Sequence, residues 1–183
     1  MIYTFLATGF EEVEALGPID VCRRAGLNVK TVSVTGEKTV TGAHGVGIVA
    51  DSLFEENDFS DATMLFLPGG MPGSTNLDAH EGLRRLILEH AKADKPLAAI
   101  CAAPMVYGKL GLTKGKKATC YPSMEDGLVG AETVAEGAVI DGNVITGRGM
   151  GASLDFAFAL VEVLRGREKA DEIAKQIVYE GRK

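Results

Sequence analysis

Short apolar segments alternate with stretches of helical periodicity along this chain. Residues 2–7, 64–67 and 97–101 are apolar runs of the length that buried strands have. Between them, apolar residues recur every three or four positions, as expected for one face of a helix. The first helix offers two overlapping sets, Val13, Leu16 and Ile19, and Ala15, Ile19 and Cys22. A later helix offers Leu83, Leu86, Ile87, His90 and Ala91. The alternation predicts an α/β fold with a mainly parallel central sheet.

The remaining pattern completes this prediction. Residues 28–34 form a second candidate strand, and the glycine-rich stretch 39–51 indicates a hairpin or an excursion at the sheet edge. A second hairpin is predicted around the turn Asp141-Gly142-Asn143, followed by a long helix at 153–165. A closing helix would bury Ala170, Ile173, Ala174, Ile177 and Val178. Because no linker or repeat interrupts the pattern, we expect one domain over residues 1–183.

Composition excludes several classes of function. The chain has 183 residues and a net charge of −6, which disfavours nucleic acid as a partner. No apolar segment approaches the roughly 20 residues of a membrane span, and the first residues lack a leader pattern, so we expect a cytoplasmic protein without membrane contact. The three cysteines, Cys22, Cys101 and Cys120, form no metal-binding spacing and should be free thiols. We expect neither a metal nor a cofactor.

Three features are predicted to meet at the carboxyl edge of the sheet, where such folds bind ligands. They are the turn at 8–14, the glycine-rich loop at 68–73, and Cys101 between a strand and a helix that begins near Pro104. Backbone N–H groups and the positive end of that helix would favour a thiolate at Cys101, as a sulfur nucleophile requires. The alternative is that Cys101 is a small buried hydrophobic residue, as most free cysteines are.

Glu14 is the best candidate partner for this sulfur. His90 is expected to pack in the core and His80 to be solvated, so a cysteine–histidine pair is hard to assemble. A buried, protonated Glu14 could hydrogen-bond a thiolate and move protons, while the N–H groups of Gly70 and Ala102 could stabilise an oxyanion. This set suits thiolate addition to an aldehyde or ketoaldehyde.

The other acidic and sulfur-containing candidates have simpler interpretations. Glu11 and Glu12 are expected only to complement the dipole of the first helix. Cys22 lies on the apolar set of that helix and Cys120 on a short strand, so both are interpreted as structural residues.

The chain resembles the ThiJ/PfpI superfamily, in the branch of the parkinsonism-associated protein deglycase, a glyoxalase III-like group. The resemblance lies in segments 9–14, 18–21, 23–26, 67–70, 98–104 and 148–151, which read GFEEVE, PIDV, RRAG, LPGG, AAICAAP and RGMG. It implies a flavodoxin-like sandwich similar to class I glutamine amidotransferase domains, and a homodimer. It also implies that Cys101 is the reactive cysteine, Glu14 its partner, and Gly70 and Ala102 the backbone donors.

Several positions depart from the family pattern. Tyr121 precedes Pro122 where a relative has histidine, and His44 stands in the hairpin where many relatives have arginine. With Gly69, these two residues are candidates to line the pocket, and His44 could reach the site of a partner subunit. Ala102 replaces the histidine of the protease-like branch, which argues against peptidase activity, and Met150 replaces a proline.

Two functions therefore remain open on the sequence. The first is a cysteine-dependent glyoxalase or deglycase that acts on methylglyoxal or early glycation adducts through a hemithioacetal. The second is an oxidative-stress sensor or redox-regulated chaperone, in which Cys101 is oxidised without substrate turnover. Both use the same cysteine and the same glutamate.

Overall fold

The computed structural model describes residues 1–181, so the last two residues of the predicted domain 1–183 lie outside the described part. The strands are β1 (Ile2–Leu6), β2 (Val29–Ser33), β3 (Thr39–Thr41), β4 (Gly47–Val49), β5 (Ser52–Leu53), β6 (Met64–Leu67), β7 (Leu97–Ile100), β8 (Lys117–Ala118), β9 (Glu132–Thr133), β10 (Ala138–Asp141) and β11 (Val144–Gly147). The helices are α1 (Glu12–Arg24), α2 (Gly73–Ala79), α3 (Glu81–Lys92), α4 (Pro104–Lys109), α5 (Ser153–Arg165) and α6 (Arg167–Gln176).

A seven-stranded sheet in the order β10-β11-β7-β6-β1-β2-β5 forms the centre of the molecule. All neighbouring strands are parallel except β10 and β11, which form the predicted hairpin. β3 and β4 form the other predicted hairpin as a separate antiparallel pair, and β8 and β9 form a short parallel pair. The predicted flavodoxin-like α/β fold with a mainly parallel sheet is confirmed.

The sheet has an apolar core on each of its two faces, because successive side chains of a strand point to opposite sides. Met64 and Phe66 of β6 pack in the cluster that includes residues of α1, α5 and α6. Leu65 and Leu67 of the same strand pack in the cluster of α2, α3 and α4. Both faces are therefore covered by helices, and continuously apolar strands are the consequence.

The predicted apolar face of α1 is partly wrong. Val13 and Leu16 are 48% and 39% exposed, whereas Glu12 and Glu14 are buried together with Ala15, Pro18, Ile19, Val21 and Cys22. The start of α1 lies against the loops at the carboxyl edge of the sheet, where polar side chains have partners. Ala15 packs in a small apolar cluster with Leu6 and Phe10, and Val21 and Cys22 pack in the main core.

The closing helix is shorter than predicted. α6 ends at Gln176, and Val178, predicted to be buried, is 80% exposed with a positive φ of 59°. Ala170, Ile173 and Ala174 are buried as expected. Within residues 1–181, no helix has the length and apolar character needed to cross a membrane.

Candidate active site at the carboxyl edge of the sheet

Cys101 follows directly after β7 and before the turn that leads into α4. Its N–H donates to the Gly147 carbonyl at the end of β11 at 2.9 Å, and its own carbonyl accepts from the N–H of Tyr121, also at 2.9 Å. Its φ is 65°, in the left-handed region that residues other than glycine rarely adopt. The backbone of Cys101 is thus held from two sides in a conformation characteristic of functional turns.

Glu14 lies in the first turns of α1 and is 1% exposed. Its side chain interacts with Cys101 and with the N–H of Gly69. The oxygen Oε2 is buried and makes no hydrogen bond of standard geometry. An ionised carboxylate with a bare buried oxygen is costly, so this environment favours the protonated carboxyl group.

The acidities of the two groups depend on each other. Burial raises the pKa of Glu14 from 4.5 to about 7, although the interaction with Cys101 opposes the rise. Burial also raises the pKa of the Cys101 thiol to about 12, and the charge of an ionised Glu14 adds to this effect. The pair therefore accommodates one negative charge readily and a second only with difficulty.

This result corrects one expectation drawn from the sequence. The helix end and the backbone N–H groups were expected to favour a thiolate, and the N–H groups of Gly70 and Ala102 do lower the pKa of Cys101. Burial and the neighbouring carboxylate outweigh them. An ionised Glu14 thus disfavours a sulfur anion here, and a proton on Glu14 removes that repulsion.

The glycine-rich loop after β6 allows this close approach. The Gly69 carbonyl accepts from the N–H of Glu11 at 2.9 Å, which ties the loop to the start of α1. A Cβ atom on Gly69 would meet Oε2 of Glu14 and would lie 2.6 Å from Cβ of Cys101. Gly70 has a positive φ of 90°, which glycine adopts without strain. The loop thus brings Glu14, Cys101 and the Gly70 N–H together, as the sequence predicted for this edge.

Glu12 forms a separate polar cluster next to the site. One of its oxygens accepts from the backbone N–H groups of His44 and Val46 at 2.8 and 3.3 Å, and the other lies 2.9 Å from Nδ1 of His44. Burial alone would raise the pKa of Glu12, but these bonds lower it to about 2. Glu12 therefore fastens the β3–β4 hairpin to α1, a role that the sequence analysis missed.

His44 is held by this cluster. Its side chain is 72% exposed, and its described ion pairs are with Glu12 and, at 3.9 Å, with Glu11. Glu11, Glu12 and His44 bring three ligand-type atoms within 4.8 Å of one another. Glu11 also caps α1 by accepting the N–H of Glu14 at 2.7 Å. Because these contacts account for the arrangement as an ion pair and a helix cap, we assign no metal to it.

Tyr121 lies beside Cys101 through its backbone, while its side chain is 51% exposed. The ring packs over Gly149, where a Cβ atom would lie 3.4 Å from Cδ2 of the tyrosine. Tyr121 therefore lies next to Cys101 and presents its ring to solvent.

The remaining cysteines and histidines are accounted for structurally. Cys22 and Cys120 are 1% and 3% exposed, and burial raises the pKa of their thiols to about 12 and about 11. His90 is buried as predicted, and burial lowers its pKa to about 4. His80 was expected to be solvated, but it caps α3 by accepting the Leu83 N–H at 3.0 Å. Its ring also packs on Phe54.

A cavity of about 560 Å³ lies elsewhere, near the amino end of β1. It is lined by Tyr3, Lys30, Asn57 and four carboxylates, Glu55, Glu56, Asp58 and Asp61. Its lining holds no cysteine, serine or histidine, and Tyr3 is hydrogen-bonded to Asp61 at 2.7 Å. The carboxyl edge of the sheet is therefore the better candidate for chemistry.

The fold and the position of Cys101 define a doubly wound α/β protein with a cysteine on the turn after a central parallel strand. Residues 1–163 match the model of the DJ-1/PfpI family, and the chain belongs to that family. This confirms the resemblance seen in the sequence.

Individual relatives support the same assignment. The chain is 39% identical over 171 residues to protein DJ-1 homolog B of Arabidopsis thaliana, covering 93% of this chain and 39% of the relative. It therefore spans less than half the length of that relative. It is 35% identical over 175 residues to protein dj-1beta of Drosophila melanogaster, covering 94% of each. The structure of oxidised DJ-1 of Toxoplasma gondii matches with a TM-score of 0.94 at 32% identity over 98% of both chains.

Proposed function

We propose that this protein is a cysteine-dependent glyoxalase or deglycase that acts on 1,2-dicarbonyls such as methylglyoxal, or on early glycation adducts. The observation that carries the proposal is the buried Glu14 carboxyl group beside Cys101, with a pKa of about 7. A base is most effective when its pKa lies near the working pH.

The first step is the addition of sulfur to the aldehyde carbon. Glu14, ionised, accepts the proton of the Cys101 thiol as the carbon–sulfur bond forms. The N–H groups of Gly70 and Ala102 stabilise the negative charge that develops on the carbonyl oxygen. Glu14 then gives this proton to the oxygen, which forms the hemithioacetal and leaves Glu14 ionised.

The second step moves a proton along the substrate. Glu14 removes the proton from the hemithioacetal carbon and returns it to the neighbouring carbonyl carbon. The proton of the hemithioacetal hydroxyl moves to the former ketone oxygen, and the adduct becomes a thioester. Water then hydrolyses the thioester, giving lactate from methylglyoxal and restoring the thiol. The sequence consumes one water molecule and needs no external oxidant or reductant.

Replacement of the cysteine tests the proposal. Cys101→Ser should abolish the conversion of methylglyoxal to lactate, measured by enzymatic assay of lactate. The matched control is Cys120→Ser, which removes a thiol that does not interact with Glu14. Its activity should stay near that of the wild type. Turnover by Cys101→Ser at the wild-type rate would contradict the proposal.

A redox sensor is the second candidate, favoured by the difference in exposure between the thiols. Cys101 is partly exposed, whereas Cys22 and Cys120 are buried. Peroxide should then oxidise Cys101 first, as followed by peptide mass spectrometry. Equal oxidation of all three cysteines would refute this function.

A cytoplasmic location and a homodimer belong to the same proposal. Three free thiols suit a reducing compartment. Val13 and Leu16 on α1 and Val46 and Val49 at the β3–β4 hairpin are exposed apolar side chains that a second copy of the chain could cover. Sedimentation equilibrium distinguishes a dimer from a monomer.

A further inference from the structure

Glu11 lies at the start of α1, between the glycine-rich loop and Glu14. It is the N-cap residue of this helix, and its Oε2 accepts the backbone N–H of Glu14 at 2.7 Å. Its own backbone N–H donates to the Gly69 carbonyl at 2.9 Å. The Glu11 side chain is only 13% exposed. An acidic side chain that is mostly buried next to a second buried carboxyl group calls for an explanation beyond the helix dipole.

Three interactions connect Glu11, Gly69 and Glu14 in a closed ring. The Glu11 N–H donates to Gly69, the Gly69 N–H interacts with the Glu14 carboxyl group, and the Glu14 N–H donates to the Glu11 carboxylate. A Cβ atom on Gly70 would meet the Glu11 nitrogen, so the loop packs directly on this residue. Because each member of the ring holds the next, a change at Glu11 should alter the position of the Glu14 carboxyl group.

The charged and titratable groups around this ring come from three elements. Burial raises the pKa of Glu14, the hydrogen bond with Cys101 on the turn after β7 opposes the rise, and the negative charge of Glu11 adds to it. His44 in the β3–β4 hairpin lies 3.9 Å from Glu11, but its closer partner is Glu12 at 2.9 Å. Glu11 thus brings Glu14 both a hydrogen bond to its backbone and a like charge near its carboxyl group.

We propose that Glu11 is a positioning residue of this site. Its carboxylate fixes the first turn of α1, so that the Glu14 carboxyl group lies beside Cys101, and it holds a negative charge close to that group. A nearby like charge favours the neutral form of a carboxyl group. Glu14 therefore keeps its proton to a higher pH than burial alone would allow. This role presupposes that Glu14 exchanges protons in the reaction proposed above.

The first experiment follows the titration of Glu14 without turnover. The protein is labelled with glutamate carrying ¹³C at the side-chain carboxyl carbon, and the NMR signal of Glu14 is identified by its absence in Glu14→Gln. The wild-type signal should titrate near pH 7. Glu11→Gln keeps an oxygen that can accept the Glu14 N–H but loses the charge, so the inflection should fall by about one pH unit. Glu11→Ala loses both and lets water reach the Glu14 carboxyl group, so the inflection should fall further towards the ordinary value of 4.5.

Glu12→Gln is the matched control. It replaces a buried carboxylate at the neighbouring position, but the described hydrogen bonds of that carboxylate go to the hairpin. Its Glu14 signal should still titrate near pH 7, which shows that loss of stability alone does not move the inflection. The inference would be overturned by an unmoved inflection in Glu11→Gln, or by the same inflection in Glu11→Ala as in Glu11→Gln.

The second experiment measures kcat/KM for methylglyoxal at pH 9, where Glu14 is ionised in all three proteins. Glu11→Gln should stay within about threefold of wild type, because only the basicity of Glu14 changes. Glu11→Ala should lose about 10- to 100-fold, because the carboxyl group is displaced. Equal activity of Glu11→Ala and wild type would contradict the positioning role. If both NMR shifts occur in a protein that does not turn over methylglyoxal, the inference on Glu11 holds and the glyoxalase function fails.

Discussion

Glu12 and Glu14 are two residues apart on the same helix, and both are buried, yet they differ in acidity by about five pKa units. The pKa of Glu12 is about 2 and that of Glu14 about 7. Glu12 receives two backbone N–H groups and the His44 ring, whereas one oxygen of Glu14 has no hydrogen bond. Hydrogen-bond partners, rather than burial alone, decide which carboxylate is structural and which can exchange protons near neutral pH.

The largest expected effect is on catalysis. Glu14→Gln removes the base and should lower kcat/KM for methylglyoxal by about 10²- to 10⁴-fold. In the wild type, activity should rise with pH through about 7, because the pair then holds the single negative charge that the first step requires. The measurement is the pH profile of kcat/KM between pH 5 and pH 9.

The same profile for Glu12→Gln is the control. It should retain the inflection near 7, since Glu12 stays ionised throughout this pH range. If the Glu14→Gln variant is active and its pH profile still shows an inflection near 7, the inflection belongs to another group.

The second effect is on stability: Glu14→Gln should lower activity but raise the free energy of unfolding above pH 7. The folded pKa of Glu14 is raised from 4.5 to about 7, so its ionisation costs on the order of 3 kcal/mol of folding free energy at pH 8, and nothing below pH 4. Glu14→Gln should therefore be more stable than wild type at pH 8 and similar at pH 4. Urea unfolding of both proteins at pH 8 and pH 4 measures the difference in free energy of unfolding. The same difference at the two pH values would contradict the prediction.

The third effect concerns the hairpin. Glu12→Gln replaces an acceptor of three hydrogen bonds and should destabilise the fold by about 1–3 kcal/mol at pH 7. The deficit should shrink as pH falls from 4.5 towards 2, because the wild-type carboxylate becomes protonated there. Hydrogen exchange at His44 and Val46 should accelerate. Glu55→Gln, at an exposed position, is the matched control and should leave both readouts unchanged.

Much of the architecture was predictable from the sequence. Apolar runs such as 64–67 and 97–100 are buried parallel strands because they are continuously apolar over strand length. The turn signals placed both hairpins and put Cys101 between a strand and a helix. Glu14 was chosen as its partner by the absence of a suitable histidine.

The rest depended on contacts between distant parts of the chain. Periodicity predicted that Val13 and Leu16 face the core, but periodicity cannot show that Glu12 finds donors 32 residues away in the hairpin. The acidity of Cys101 depends on similar contacts: the helix end is visible in the sequence, but burial and the charge of Glu14 are not.

Gly69 has no side chain, and this allows the Glu14 carboxyl group to lie close to the Cys101 sulfur. A Cβ atom at position 69 would contact both Glu14 and Cys101. Gly69→Ala should therefore increase the distance between the carboxyl group and the sulfur without removing either group. Efforts to alter the site should therefore leave this glycine untouched.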